Sequence, residues 1–249
     1  MRALVVSDVH GNLQALQAVL AAAGSFDELW NLGDIVGYGA NPNQVIDIIR
    51  PLARINVRGN HDRVCCGLTS AQGFNPVAAA AAAWTHRHLT QENLAWLRAV
   101  PQGPVPASER ALCAHGSPLH EDHYIISMRD AWSPLQRMST EITFFGHTHI
   151  QGAFSLQAPE WQEIRPLYNS QNEPEQFSMD VPAGSRHLIN PGSVGQPRDG
   201  DWRAAFAVYD TAVERVTFHR VPYDVAAAQQ AIRDAHLPER LASRLSTGR

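Results

Sequence analysis

The 249-residue chain has three cysteines, an odd number with no framework spacing, so it is not a disulfide-stapled secreted scaffold. Cys65 and Cys66 are adjacent rather than in Cys-x-x-Cys spacing, and Cys113 lies in an apolar strand where it reads as buried filler. A reducing compartment, the cytoplasm, is the expectation. Long apolar runs are also missing. Nothing approaches the ~18 consecutive apolar residues of a membrane span, and the alanine run 78–83 is too short to cross a bilayer. Arg2 leads directly into Ala3–Val6 and then a polar motif, which is strand-like and unlike a signal peptide. No excess of positive charge is present: the formal net charge is −4, so no global field recruits nucleic acid or an anionic membrane. A bound metal pair would still supply its own local positive charge. Internal repeats and separating linkers are absent too. With 44% hydrophobic and 18% charged residues, the chain reads as one α/β domain over 1–249, its C-terminal helices starting near 224.

The pattern along the chain is strand, polar turn, helix. Strands are expected at 2–7, 28–32, 54–58, 110–114 and 141–145, and helices at 12–23, 42–49 and 128–138. Asn12 and Asn41 are positioned as N-caps. The alanine-rich stretch 75–97 predicts one or two helices, ended by Pro101–Pro106. In the 128–138 helix, Met128, Trp132, Leu135 and Met138 have helical spacing and read as core. After residue 150 the style becomes antiparallel, with strands near 151–156, 162–167, 186–189, 203–210 and 213–220. The polar stretch 169–180 predicts an exposed loop, and the last ~25 residues a surface helix interrupted by Pro238.

Five short motifs stand out against this background. They are Asp8-Val9-His10, Gly33-Asp34, Gly59-Asn60-His61-Asp62, Ala114-His115-Gly116 and Gly146-His147-Thr148-His149, each directly after an apolar run. Singly, Asp-x-His or Gly-Asp is ordinary turn chemistry, and a lone His115 is more often a satisfied core histidine. Together they deliver carboxylate, imidazole and amide ligands to the ends of separate strands, enough for two cations. Residues i and i+2 of an extended segment point the same way, so Asp8 and His10 can address one ion. His147 and His149 repeat that spacing, although in a turn each can serve a different ion. A carboxylate such as Asp34 can bridge ions ~3.5–4 Å apart. Mixed imidazole and carboxylate ligation suits Mn, Fe, Zn, Co or Ni better than Ca or Mg, with manganese the first expectation.

In order and type, these motifs resemble the signature blocks of the calcineurin-like metallophosphoesterase superfamily, over roughly the first 200 residues. Every block is present without substitution. Gly33-Asp34-Ile35-Val36-Gly37-Tyr38-Gly39 and Asn190-Pro191-Gly192-Ser193-Val194-Gly195 look like its small prokaryotic phosphodiesterase-like branch rather than the large Ser/Thr phosphatases. The resemblance implies a four-layer α/β/β/α sandwich, two central mixed sheets flanked by helices. It also implies ligand roles: Asp8, His10 and His149 on one metal, Asn60, His115 and His147 on the other, Asp34 bridging. His61 would stand outside the metal shell as general acid toward the leaving oxygen, with Asp62 orienting its imidazole, while metal-activated hydroxide attacks phosphorus.

Two further residues are candidates for substrate contact. Arg198 follows the 190–197 turn and can clamp a phosphate bidentately. Asn12 can reach substrate too, though its role as helix cap is the stronger reading. His120 and His123, flanking Glu121-Asp122, read as a surface loop. The substrate expected first is a small phosphodiester such as a cyclic nucleotide, with phosphomonoesters included. A nuclease acting on DNA or RNA is the alternative, and a phosphoprotein phosphatase comes third. From a different class, a metal-bound scaffold without turnover would show a lost acid or ligand, and every such position is intact. The oligomeric state stays open: the polar loop and the C-terminal helices offer a surface for a dimer, and no heptad or apolar patch forces one.

Overall fold

In a computed structural model, which describes residues 1–249, β1 (Arg2–Val6), β2 (Glu28–Asn31) and β3 (Ala53–Asn56) run parallel. The first sheet continues through β11 (Ala204–Asp210), β12 (Arg215–Val221) and β9 (Glu175–Asp180), giving the order β3-β2-β1-β11-β12-β9. The second sheet has the order β4-β5-β6-β10-β7-β8. Its strands are β4 (Val105–Pro106), β5 (Ala111–Cys113), β6 (Ile142–Phe144), β7 (Gly152–Gln157), β8 (Glu160–Ile164) and β10 (Arg186–Asn190). Parallel neighbours β5, β6 and β10 lie at its centre, with antiparallel strands outside.

Strand alternation sorts the apolar residues into layers. In β1, Ala3 and Val5 point between the sheets with Trp30, Leu32, Phe144, Ile189 and Tyr209, while Leu4 and Val6 point outward to the helices. That outer layer holds α1 (Leu13–Ala22), α2 (Pro42–Leu52), α4 (Pro76–His88) and α7 (Val225–Asp234). On the far side, α6 (Met128–Arg137) covers the second sheet through Ala131 and Leu135 against Phe145, Phe154 and Leu188. Four layers, α/β/β/α, result.

The local signals behave as their chemistry dictates. Asn12 caps α1 by accepting from the Ala15 amide at 3.1 Å, whereas Asn41 makes no side-chain cap and Pro42 opens α2 instead. The 75–97 stretch divides into α4 and α5 (Gln91–Ala99), each capped, by Asn75 and Thr90. All three cysteines are buried and free.

Two further expectations are corrected. Residues 175–180 are not loop but the edge strand β9, paired antiparallel with β12. Its inner face carries only Phe177 and Met179, so period-two patterning is masked by the polar residues between them. Trp132 is not core: it is 49% exposed and stacks on Trp161 at 4.1 Å. After Gly59, residues Asn60–Cys65 form the short helix α3. The C-terminal residues bury one face, with Leu237, Leu241 and Leu245 joining the outer core beside α8 (Glu239–Ser243).

Candidate metal centre

Every motif lies at the C-terminal end of a parallel strand: Asp8 after β1, Asp34 after β2, Asn60 after β3, His115 after β5, and His147 and His149 after β6. Three of the five motifs come from the first sheet and two from the second, so the centre straddles the seam between sheets. The backbone there is strained. Asp8, His10, Asp34, His147 and His149 all have φ between 51° and 67°, the left-handed region that non-glycine residues rarely adopt. Such clustering of unfavourable conformations marks a site held in place by its surroundings.

Two glycines permit close approach. A Cβ at Gly59 would lie 2.0 Å from Asp34 Oδ1, and one at Gly146 would lie 1.9 Å from Ser7 Oγ and 2.7 Å from Asp8 Oδ2. Glycine at each place is required by space, because both carboxylates rest against backbone.

The ligand atoms of Asp8, His10, Asp34 and His149 lie within 4.8 Å of one another, and so do those of Asp34, His115 and His147. His149 Nε2 is 3.2 Å from Asp8 Oδ1, and His10 Nε2 is 3.6 Å from Asp34 Oδ2. Across the centre, His115 Nε2 is 3.5 Å from the same Asp34 oxygen and 3.2 Å from Asn60 Oδ1. Asp34 Oδ2 thus belongs to both clusters, while its Oδ1 accepts from the His61 amide at 2.8 Å.

Each histidine ties its other ring nitrogen to a main-chain carbonyl: His10 to Val36, His149 to Gln196, His115 to Leu32 and His147 to Asp122, at 2.6–3.2 Å. Those bonds need N–H on the outer nitrogens, which leaves lone pairs on the inner ones. His10 Nε2 and His149 Nε2 then face each other at 3.1 Å, as do His115 Nε2 and His147 Nδ1. Facing lone pairs repel unless a proton or a cation stands between them.

Protons do not serve the first pair, because burial pushes His10 and His149 below the ordinary imidazole range, with the Arg198 charge adding to the effect on His149. Burial takes His147 to about 3. His115 differs: burial lowers it, but Asp34 and Asp8 overcome that and carry it to about 10. A divalent cation held by His115 and Asp34 would take the place of that proton. Burial also works against charge on Asp8 and Asp34, yet His149 and His115 hold both well below the ordinary carboxylate range. Asp8 Oδ1 is buried with no hydrogen-bond partner. Buried anions, inward lone pairs and an orphaned carboxylate oxygen together fit divalent cations.

His61 has none of these ligand contacts. Its ring is held among Tyr38 (4.4 Å), Phe74 (4.5 Å) and His10 (4.9 Å) by centroid distance, and its Nδ1 has no partner. The expectation that Asp62 orients this imidazole is not met. Asp62 accepts from the Gly59 amide at 2.8 Å and the Val36 amide at 3.1 Å, staples the two turns together and makes no bond to the ring. Burial and the nearby Asp34 charge raise its carboxyl to about 7. Asn12 likewise has both polar atoms engaged, on Ala15 and on the Gly195 carbonyl, and so is scaffold rather than substrate contact. Arg198 stands at the mouth, with Nη2 3.5 Å from the Tyr38 hydroxyl and 3.2 Å from Gln196 Oε1.

Sequence reasoning quoted Asn190 and Ser193 only as part of a motif and missed how they and Tyr124 support the candidate ligands. Tyr124 stacks on His147 at 4.1 Å, and Asn190 donates from Nδ2 to the Gly146 carbonyl and Thr148 Oγ1, each at 2.9 Å. Ser193 Oγ donates to the Asp8 carbonyl at 2.8 Å. Main-chain carbonyl partners carry no residue-type signature, so no motif could reveal them. A cleft lined by Tyr38, Asn60, His61, Phe74, Tyr124 and His147 opens onto this centre.

Comparisons agree with this geometry. Residues 1–214 match the model of the calcineurin-like phosphoesterase superfamily domain. The chain is 34% identical over 249 residues to the uncharacterized protein MJ0912 of Methanocaldococcus jannaschii, covering 98% of this chain and 97% of that one. A metallophosphoesterase structure from Sphaerobacter thermophilus superposes with a TM-score of 0.86 at 42% identity, covering 100% of this chain and 99% of that one. The hypothetical protein PH1004 from Pyrococcus horikoshii OT3 shares the fold, with a TM-score of 0.78 at 20% identity over 100% and 98% of the two chains.

Proposed function

The chain belongs to the calcineurin-like phosphoesterase superfamily, and from that premise we propose that it is a dinuclear metal-dependent hydrolase of phosphodiester or phosphomonoester bonds. The observation that carries this reading is Asp34, whose Oδ2 is common to two ligand clusters. In it, Asp8, His10 and His149 hold one ion, Asn60, His115 and His147 the other, and Asp34 bridges them. Manganese is the first choice of metal, with Fe, Zn, Ni and Co compatible with the same donors. When bound, the ions neutralise the phosphoryl oxygens and activate a water for attack at phosphorus.

His61 acts on the leaving oxygen as general acid. Burial pushes its imidazole down to about 4, so in the free site it is neutral. An anionic phosphoester beside it favours the charged form and restores the proton it must donate. Tyr38 and Phe74 fix the ring in place, and Arg198 steadies a phosphate oxygen at the mouth. The preferred substrate is a small phosphodiester of cyclic-nucleotide size, consistent with an open cleft walled by Phe74, Tyr38 and Tyr124. One domain spans 1–249 in this reading, since the C-terminal helices share the outer core. The setting is the cytoplasm, in keeping with three buried free thiols; no helix is long and apolar enough to cross a membrane.

The test pairs metal analysis with a substrate panel. Protein loaded with Mn should bind two ions and hydrolyse bis-p-nitrophenyl phosphate, p-nitrophenyl phosphate or cyclic nucleotides. Turnover confined to oligonucleotides would replace the small-molecule reading with the nuclease. Two bound ions with no turnover on any substrate would make the protein a scaffold.

A further inference from the structure

An ion pair spans the seam beside the second ligand cluster. His147 Nε2 donates to the Asp122 carbonyl at 3.2 Å, and the Tyr124 ring stacks on its imidazole at 4.1 Å and 17°. Both partners belong to the 117–124 loop, which leaves the second sheet after β5 and His115 and holds no helix or strand. Backbone bonds close this loop on itself: the Ser117 amide donates to the His123 carbonyl and the His123 amide to the His120 carbonyl, each at 3.1 Å. Bonds inside the loop do not fix where it stands relative to the first sheet.

Arg63 supplies that link. It lies in α3, which follows β3 of the first sheet, and it donates Nη2 to Asp122 Oδ2 at 2.6 Å while its Nη1 is 3.0 Å from Glu121 Oε1. One guanidinium thus grips two consecutive loop carboxylates, a forked geometry that an ammonium cannot reproduce. The Arg63 and Glu121 side chains are 16% and 18% exposed, so the grip is sheltered from the solvent that weakens open surface pairs. Arg58 Nε stands 3.8 Å from Glu121 Oε2, beyond hydrogen-bond reach, and makes no ion pair with Asp122. Arg63 is also three residues from Asn60 on the same short helix, so both side chains leave one face. Asn60 Oδ1 and His147 Nδ1 both approach His115 Nε2, at 3.2 Å and 3.1 Å. A single arginine therefore ties the helix that carries Asn60 to the loop that orients His147.

We propose that Arg63 is a positioning residue for the second metal ion: by gripping Glu121 and Asp122 it keeps the Asp122 carbonyl and Tyr124 against His147, and so holds His147 facing Asn60 and His115. This rests on the reading that those three residues bind an ion. Arg63 acts through the loop and not on the ion itself. In the first cluster, His10 and His149 are anchored instead on the Val36 and Gln196 carbonyls, which the 117–124 loop does not supply. Loss of Arg63 accordingly weakens one ion and spares the other, a difference that general loosening of the fold does not produce.

The experiment titrates metal-free protein with Mn by calorimetry and reads a Kd for each ion, independently of turnover. Wild type should bind two. In Arg63→Met, which removes the charge and keeps most of the bulk, one Kd should rise about ten-fold, the lower end of what losing a ligand-orienting group costs. The other should stay within about three-fold of wild type. Arg63→Lys and Asp122→Asn leave the loop carbonyl in place and should fall between wild type and Arg63→Met. His147→Ala should bind one ion, and adding Arg63→Met to it should leave that Kd unaltered, because Arg63 works through His147. Two unchanged Kd values in Arg63→Met, or two raised alike, overturn the proposal and leave the two-ion reading standing. Further weakening in the His147→Ala background overturns it as well. Should Arg63→Met not fold, Asp122→Asn decides by the same comparison. Wild type that takes up fewer than two ions removes the two-ion reading and the role of Arg63 with it.

Discussion

At the scale of single residues, the divide between His61 and the other motif histidines is the most informative. His10, His115, His147 and His149 each have one nitrogen on a carbonyl and the other aimed inward, while His61 has neither constraint and sits against Tyr38 and Phe74. His61→Ala should lower kcat by about 10²–10⁴-fold, the usual worth of general acid catalysis. Metal content measured by emission spectroscopy should stay at the wild-type stoichiometry. Loss of an ion would make His61 a ligand and remove it from the proton-donor role. The two candidate ligand clusters were legible in the chain, because metal-binding residue types recur after apolar runs. Asp62 was misread for a simple reason: a carboxylate next to a histidine in sequence looks like its partner, but in α3 its side chain turns back to the Gly59 amide as a helix cap.

At the scale of elements, the 195–201 loop and β9 are held by buried charge. Arg203 is fully buried, chelates Asp201 through Nε and Nη2, reaches Glu175 of β9 at 3.1 Å, and donates to the Glu173 carbonyl. Arg203→Ala removes the common partner of two carboxylates and leaves a cavity under Tyr168. Those carboxylates keep 14% and 20% exposure and can recover water, so the expected cost is ~2–3 kcal/mol rather than the full penalty of a buried unpaired charge. Denaturant unfolding measures that cost, and limited proteolysis should show new cleavage near 169–174. Unchanged stability would mean that the edge strand is held by its ladder with β12 alone. This is also why β9 was unreadable: its strand character depends on a partner some forty residues away and on an arginine that neutralises Glu175, neither visible in a polar window.

At the scale of the whole molecule, the centre joins the ends of two sheets, so ligation should couple to global stability. At a metal concentration of about 100 times Kd, one site adds ~2.7 kcal/mol, which for a chain of this size raises Tm by about 5–10 °C. Calorimetry with Mn and then with a chelator measures this, and a Tm indifferent to both would mean that the clusters do not bind the ion. A second whole-molecule property is acid sensitivity away from the metal centre. His187 is buried between Ser155 and Ser185, bonded to both, and burial lowers its imidazole from 6.5 to about 4. The unfolded chain takes up a proton as pH falls through 6.5, whereas the folded one does not until about 4. Stability is therefore lost from pH 6.5 down to 4, by up to ~1.4 kcal/mol per pH unit from this residue. His187→Asn should flatten the slope of Tm against pH in that window. An unaltered slope would show that His187 does not carry it.

What the sequence determined by itself was the chemistry on offer: which side chains are candidate ligands, that each follows a strand, and that strands alternate with helices in the first half. Those facts are local, written in residue type and periodicity. The tertiary structure decided the rest. Asp8, Asp34 and Asn60 belong to one sheet and His115, His147 and His149 to the other, so the centre exists only where the two sheets meet across Trp30, Phe144 and Tyr209. The inward aim of each imidazole depends on carbonyls supplied by distant turns, and the C-terminal turn is tied to the 195–201 loop by the Gly200 amide on the Gly248 carbonyl. Spacing along a chain cannot encode such distances, because they are set by how the packed layers bring remote backbone together.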